Sequence, residues 1–147
     1  MDVDLTLFVD PNSPREIIRT LEEIGCSLVA ATATASLKEH GFCQVLFEGI
    51  RVDVFMPTIE FYETARQRIT QVTLGSQPIA VWDAESLCVF KMMFFRRKDL
   101  ADVEQILRTQ GDKLDRVWIR NQLASIYGQR DPRISAWDEI QADVFPV

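Results

Sequence analysis

The chain has 147 residues, 47% hydrophobic and 26% charged, a length and balance that suit one globular unit with a real core and exclude global disorder. Sixteen Lys and Arg against 22 Asp and Glu leave a net charge of −6, which excludes the broad basic surface of a dedicated nucleic-acid binder. Apolar runs such as Met92 to Phe95 fall far short of the ~20 residues of a membrane span.

Asp2 to Val9 alternates with the period of a strand: Asp2, Asp4 and Thr6 on one face, Val3, Leu5 and Leu7 on the other. Asp10-Pro11-Asn12 ends it. Ser13-Pro14-Arg15-Glu16 has the form of a capping box with proline at the first helical position, and Ile17, Ile18, Leu21 and Ile24 continue at helical spacing to a stop at Gly25. Ser27 to Ser36, rich in Ala and Thr, is expected to be strand or loop. A helical turn over Leu37 to His40 should close at Gly41, with His40 a loop or cap residue. Phe42 to Phe47 and Ile50 to Met56 read as antiparallel strands about a tight Glu48-Gly49 turn, and Pro57 ends the pair. Ile59 to Arg66 is a modest helix; Ile69 to Leu74 and Ile79 to Trp82 are short strands.

From Asp83 the pattern is helical. Asp83 caps a helix through Phe95, with Leu87, Phe90 and Phe94 expected to pack on the sheet. Asp99, with Asp102 at the third position, caps a second helix to Gln110; Leu114 to Tyr127 and Pro132 to Val144 follow. The expected fold class is therefore α/β (α+β), a short mixed sheet with flanking helices over residues 1–82, followed by a helical portion over 83–147 packed on the same unit.

Cys26, Cys43 and Cys88 are odd in number and widely spaced, and with only His40 beside them they make neither a zinc site nor a disulfide framework. Buried free thiols suit a reducing compartment, and Met1-Asp2-Val3-Asp4 shows no signal peptide, so a cytoplasmic protein with no membrane partner is expected.

Two carboxylates two apart on a strand, Asp2 and Asp4, project from one face with Cα atoms roughly 6–7 Å apart, and such a pair repels unless a cation lies between. Asp53 stands between Val52 and Val54, which face the other way. If its strand lies beside the first, three carboxylates converge into a site for Mg²⁺ or Mn²⁺; otherwise all three are solvent-facing strand residues. Lys91 is the single charge between Leu87 and Phe95. It either reaches a phosphate or snorkels along apolar surface, and it is expected to lean toward the carboxylates. Arg96, Arg97 and Lys98 read as a solvated helix junction.

Asp2-Val3-Asp4-Leu5 at the head of a strand, then Gly49-Ile50-Arg51-Val52-Asp53-Val54-Phe55 in a hairpin, then Lys91 in an apolar helix ahead of Arg96-Arg97-Lys98-Asp99-Leu100, together resemble the nucleotidyltransferase superfamily of polymerase-β-like fold. The likeness is to the small bacterial abortive-infection and toxin–antitoxin members, and it extends to about Leu107. It implies transfer of a nucleoside monophosphate from a nucleoside triphosphate to an acceptor hydroxyl on a protein, RNA or small molecule. Asp2, Asp4 and Asp53 would be metal-binding and catalytic, and Lys91 would contact the nucleotide. The family's glycine–serine signature ahead of the paired acids does not occur here, so these residues are expected to transfer slowly or not at all. The alternative is a catalytically degenerate binding or regulatory module of antitoxin type, with a toxin–antitoxin partner or a second copy of itself.

Overall fold

The computed structural model describes residues 2–9 and 13–146. It is a mixed α/β protein with a three-stranded and a two-stranded sheet, and its residues fall into two compact units, one up to Tyr62 and one from Glu63 onward.

The first unit runs β1 (Asp2–Thr6), α1 (Pro14–Glu23), α2 (Ala30–His40), β2 (Phe42–Phe47) and β3 (Ile50–Phe55). Its sheet has the order β1-β3-β2: β1 lies parallel to β3, and β3 antiparallel to β2. The β2–β3 connection is the two-residue turn Glu48-Gly49, with φ 48 and 80. Positive φ at both positions is what a type I′ turn needs to follow the strand twist. Ile17, Ile18 and Leu21 of α1, with Ala33 and Leu37 of α2, bury one sheet face in a cluster containing Cys43, Val45, Val54 and Met56. Ile24, expected on that stripe, is instead the last residue of the helix end and lies exposed. Ser13 occupies the cap position without a side-chain bond, and its carbonyl accepts from the Glu16 N–H.

The Ala/Thr-rich stretch expected to be strand or loop is helix from Ala30 onward, while Ser27, bridged to Leu46, and the two residues after it are not helical. α2 begins at Ala30, and only Ala33 and Leu37, four apart, are buried on it. Alanine's high helix propensity carries a segment whose apolar stripe is too thin for periodicity to show. The helix ends at Gly41 in the left-handed region (φ 73), and that glycine's carbonyl also accepts from the Met56 N–H at 2.8 Å.

The division between the units falls within α3 (Phe61–Arg66). The second unit then contains the hairpin β4 (Thr70–Leu74) and β5 (Gln77–Val81), and helices α4 (Ala84–Phe94), α5 (Arg97–Gln110), α6 (Arg116–Tyr127) and α7 (Pro132–Val144). Contrary to the expected Leu87, Phe90, Phe94 stripe on the sheet, α4 packs on α5, α6 and α7. It buries Cys88, Val89, Phe90 and Met92, while Phe94 is exposed. An apolar helix sitting among three others is covered on most sides, so its buried face does not follow a single stripe. Asp83 caps α4 as expected, accepting from the Ser86 N–H at 3.0 Å. Val103, Leu107, Ile119, Leu123, Ile134 and Trp137 complete the core. Among the described residues no helix is long and apolar enough to cross a membrane.

Gly41 is the position least tolerant of a side chain, because a Cβ there would strike Thr58 Cγ2 as well as strain a left-handed backbone. Gly41→Ala should lower stability by about 1–2 kcal/mol in urea unfolding. Adding Thr58→Ser should restore part of that loss, and no restoration would assign the whole cost to the backbone.

Candidate functional site

The parallel register of β1 on β3 sets Asp4 opposite Asp53 and Asp2 opposite Arg51. Parallel neighbours share a face and stand about 4.8 Å apart, so the Asp4 and Asp53 side chains rise side by side from the face opposite α1 and α2. Asp2 takes its backbone place on the same face; its side chain lies outside the described residues. Antiparallel pairing then puts Gln44 opposite Asp53, and its Nε2 donates to Asp53 Oδ1 at 2.8 Å. Asp4 and Gln44 are exposed and Asp53 is half-buried.

One side-chain row is thus Asp4, Asp53, Gln44 and the next is Thr6, Phe55, Phe42; on the other side come Arg51 and Leu46, with the backbone of Asp2 paired to Arg51. Gln44 is the partner that the residue patterns had not singled out. The signal was present: Gln44 lies four residues before the Glu48-Gly49 turn and Asp53 four after it, and a two-residue turn makes such positions cross-strand partners.

The donor chemistry of this row fits a hard divalent cation, which takes carboxylate oxygens at ~2–2.6 Å. Among the described residues no group of three or more His, Cys, Asp or Glu is gathered as a metal site. Asp4 and Asp53 form a pair, and the place of Asp2 in a third ligand position concerns a side chain outside that description. The cysteines are no part of it. Burial, then the charge of Asp53, then Cys26 push the Cys43 thiol up to about 11; burial, then Glu85 and Asp83, push Cys88 up to about 12. Thiols so raised stay protonated and are poor ligands and nucleophiles.

Lys91 belongs to α4 of the second unit. Its Nζ donates to Asp102 Oδ2 at 2.7 Å and stands 3.9 Å from Asp99 Oδ1. The basic run Arg96-Arg97-Lys98 is the start of α5, and Asp99 is not its cap but its third helical residue. The Asp99 side chain is fully buried; it accepts from the Arg96 backbone N–H at 3.1 Å, from Nε at 2.6 Å and from Nη2 at 3.1 Å. Burial alone would raise its pKa, but the bonds from Arg96 and the charges of Arg96 and Lys91 outweigh it and hold the carboxyl below its ordinary value. Lys91 and Asp102 are thereby accounted for as an ion pair around a buried acid. His40 is exposed; its ring lies 6.2 Å from that of Phe42, and its Nε2 stands 3.8 Å from Glu39 Oε2.

Among the cavities of the described residues are two that combine polar and apolar lining. One of about 520 Å³ is lined by Leu37, His40, Gly41, Met56 and Thr58 in the first unit. The other, of about 470 Å³, is lined by Trp82, Glu85, Leu87, Ile106 and Lys113 in the second. Neither contains any of Asp4, Asp53 or Lys91. No family model matches the chain, and no curated protein matches it.

A carboxyl whose folded pKa is lowered stabilises fully above its unfolded value, near 3.9, and that contribution is lost as pH falls through the folded value. Asp99→Asn should therefore cost about 1.5–3 kcal/mol at pH 7. In thermal or urea unfolding the gap from the unsubstituted protein should narrow steadily below about pH 4. A gap that stays constant down to pH 2 would assign the loss to packing rather than to charge.

Proposed function

We propose that the protein is a metal-dependent nucleotidyltransferase-like protein whose working surface is the Asp4, Asp53, Gln44 row. The single observation carrying this reading is the register that makes Asp4 and Asp53 immediate neighbours on an exposed sheet face. Like charges directly side by side destabilise a sheet, and a fold with no use for them has no physical reason to prefer acids to Thr or Gln at both positions.

Asp4 and Asp53, with Asp2 beside them on β1, would hold Mg²⁺ or Mn²⁺. When bound, the ion supplies charge neutralisation for nucleotide phosphates. The chain's own share is positional and basic. Gln44 fixes the Asp53 carboxylate through Oδ1. Asp53 takes the proton from the acceptor hydroxyl as that oxygen bonds to the α-phosphorus, and the α–β phosphoanhydride breaks to release pyrophosphate. Lys91 stays with Asp102 and Asp99 in this reading and carries no part of the transfer.

The second reading, a binding or regulatory module, keeps the cation and drops the transfer. The Asp4–Asp53 pairing serves both.

Millimolar Mg²⁺ or Mn²⁺ should raise the melting temperature, because it relieves repulsion between the paired acids and binds the folded state alone. Asp4→Asn and Asp53→Asn should each abolish that rise while raising the metal-free melting temperature slightly. Incubation with labelled nucleoside triphosphates then separates the readings. Transfer that falls by about 10²–10³-fold in either variant supports the enzyme; cation binding without transfer supports the module. A melting temperature indifferent to both cations, or a rise that survives both substitutions, removes the site.

A further inference from the structure

The row adjoining the acids is aromatic. Phe42 and Phe55 are cross-strand partners whose rings stack with centroids 5.5 Å apart and an interplanar angle of 24°. Phe42 remains 36% exposed. It is a large apolar ring left in water on the same sheet face as Asp4 and Asp53. An aromatic pair of this kind also strengthens a hairpin, but a hairpin gains as much from such a pair on its buried face, and here that face is Cys43, Val45, Val52 and Val54.

Moving one row along a strand covers about 7 Å and one strand across about 5 Å. Phe42 therefore stands from the carboxylates at a separation that a ribose and its α-phosphate bridge. A cation-bound nucleotide is the ligand whose two ends differ in this way: phosphates that need the acid row's cation, and a flat aromatic base that gains from a ring surface.

We propose that Phe42, backed by Phe55, is the surface on which the nucleobase of a nucleoside triphosphate packs while its phosphates lie over Asp4 and Asp53. This deepens the nucleotidyltransferase reading and rests on it. Base-on-aromatic packing is tolerant of base identity because every base has a π-face, so the platform recognises the presence of a base more than its type, with purines favoured by their larger surface.

The test compares two probes in Mg²⁺ by calorimetry or equilibrium dialysis on the full chain: ATP and inorganic tripolyphosphate, which carries the same phosphates without a base. ATP should bind about 5- to 150-fold more tightly than tripolyphosphate, the range a stacked base contributes. Phe42→Ala should erase that ratio and leave tripolyphosphate binding unchanged; Phe42→Tyr should keep it. A ratio that survives Phe42→Ala, or equal weakening of both probes, overturns the platform while leaving the acid-row reading intact. A wild-type ratio of one does the same. If neither probe binds with Mg²⁺ and Asp4→Asn changes nothing, the acid-row reading itself has failed and the platform falls with it.

Discussion

The register of β1 on β3 is the constraint on which the first unit's chemistry depends. Side chains alternate with a period of two, so a slip of β1 by one residue would send Asp4 toward α1 and α2, turn Val3 and Leu5 outward and part Asp4 from Asp53. Burying an unpaired carboxylate costs far more than the fold can return, and Leu7, which packs against the apolar cluster, would be turned away from it. The β2–β3 side is pinned independently. Glu48 and Gly49 both take positive φ, which for a non-glycine residue at position 48 is a conformational cost that the two-residue turn imposes. Two unrelated devices, a hydrophobic alternation and a turn, agree on one alignment, and that alignment is what brings Asp4, Asp53 and Gln44 into a row.

The second unit solves a different problem. α4 is apolar along most of its length and has few polar side chains with which to satisfy its own ends. Arginines do it. At the N-terminus Arg68 Nε donates to Asp83, the capping residue, at 2.6 Å, with Glu85 at 3.4 Å and the Trp118 ring 4.2 Å from its guanidinium carbon. At the C-terminus Arg133 reaches from α7 to the Met92 carbonyl at 3.1 Å, lying over Tyr127 and Phe95. A planar guanidinium can hydrogen-bond in its plane and stack across it at once, which a lysine in either place could not do. Lys91, Arg96, Asp99 and Asp102 are the same arrangement at the start of α5, built around an acid with no exposure to water.

How much of this was legible follows from what each signal reports. Strand alternation reports faces, so the parity of Asp4 and Asp53 could be read from the residues, as could the Glu48-Gly49 turn and the Asp83 cap. Alternation does not report which strands are neighbours; the parallel pairing that makes Asp4 and Asp53 adjacent is a tertiary fact. Helical periodicity failed at α2, where alanine propensity and two buried residues suffice, and at α4, where burial comes from three neighbouring helices. Asp99 shows the limit of a local rule. Asp at a helix start satisfies the capping pattern one turn early or late, and only the buried bonds to Arg96 decide that helix α5 begins at Arg97 with Asp99 at its third position.

Outward-facing strand positions are polar in most half-buried sheets, so a single acid at Asp4 or Asp53 would carry little information. The order of the rows carries more. Where Thr and Gln would keep the face wet at no electrostatic cost, the sheet places two acids as neighbours, restrains one of them with Gln44, and follows them in the next row with two stacked phenylalanines, one of them substantially in water. Two features of this face carry a cost for an isolated sheet: repulsion between the paired acids and the part of the Phe42 ring left in water. Both penalties fall on one face, opposite the one that buries Cys43, Val45 and Val54. A ligand that brings positive charge to the first row and a flat apolar group to the second would relieve both at once, and that pairing of needs is the physical content of the functional reading.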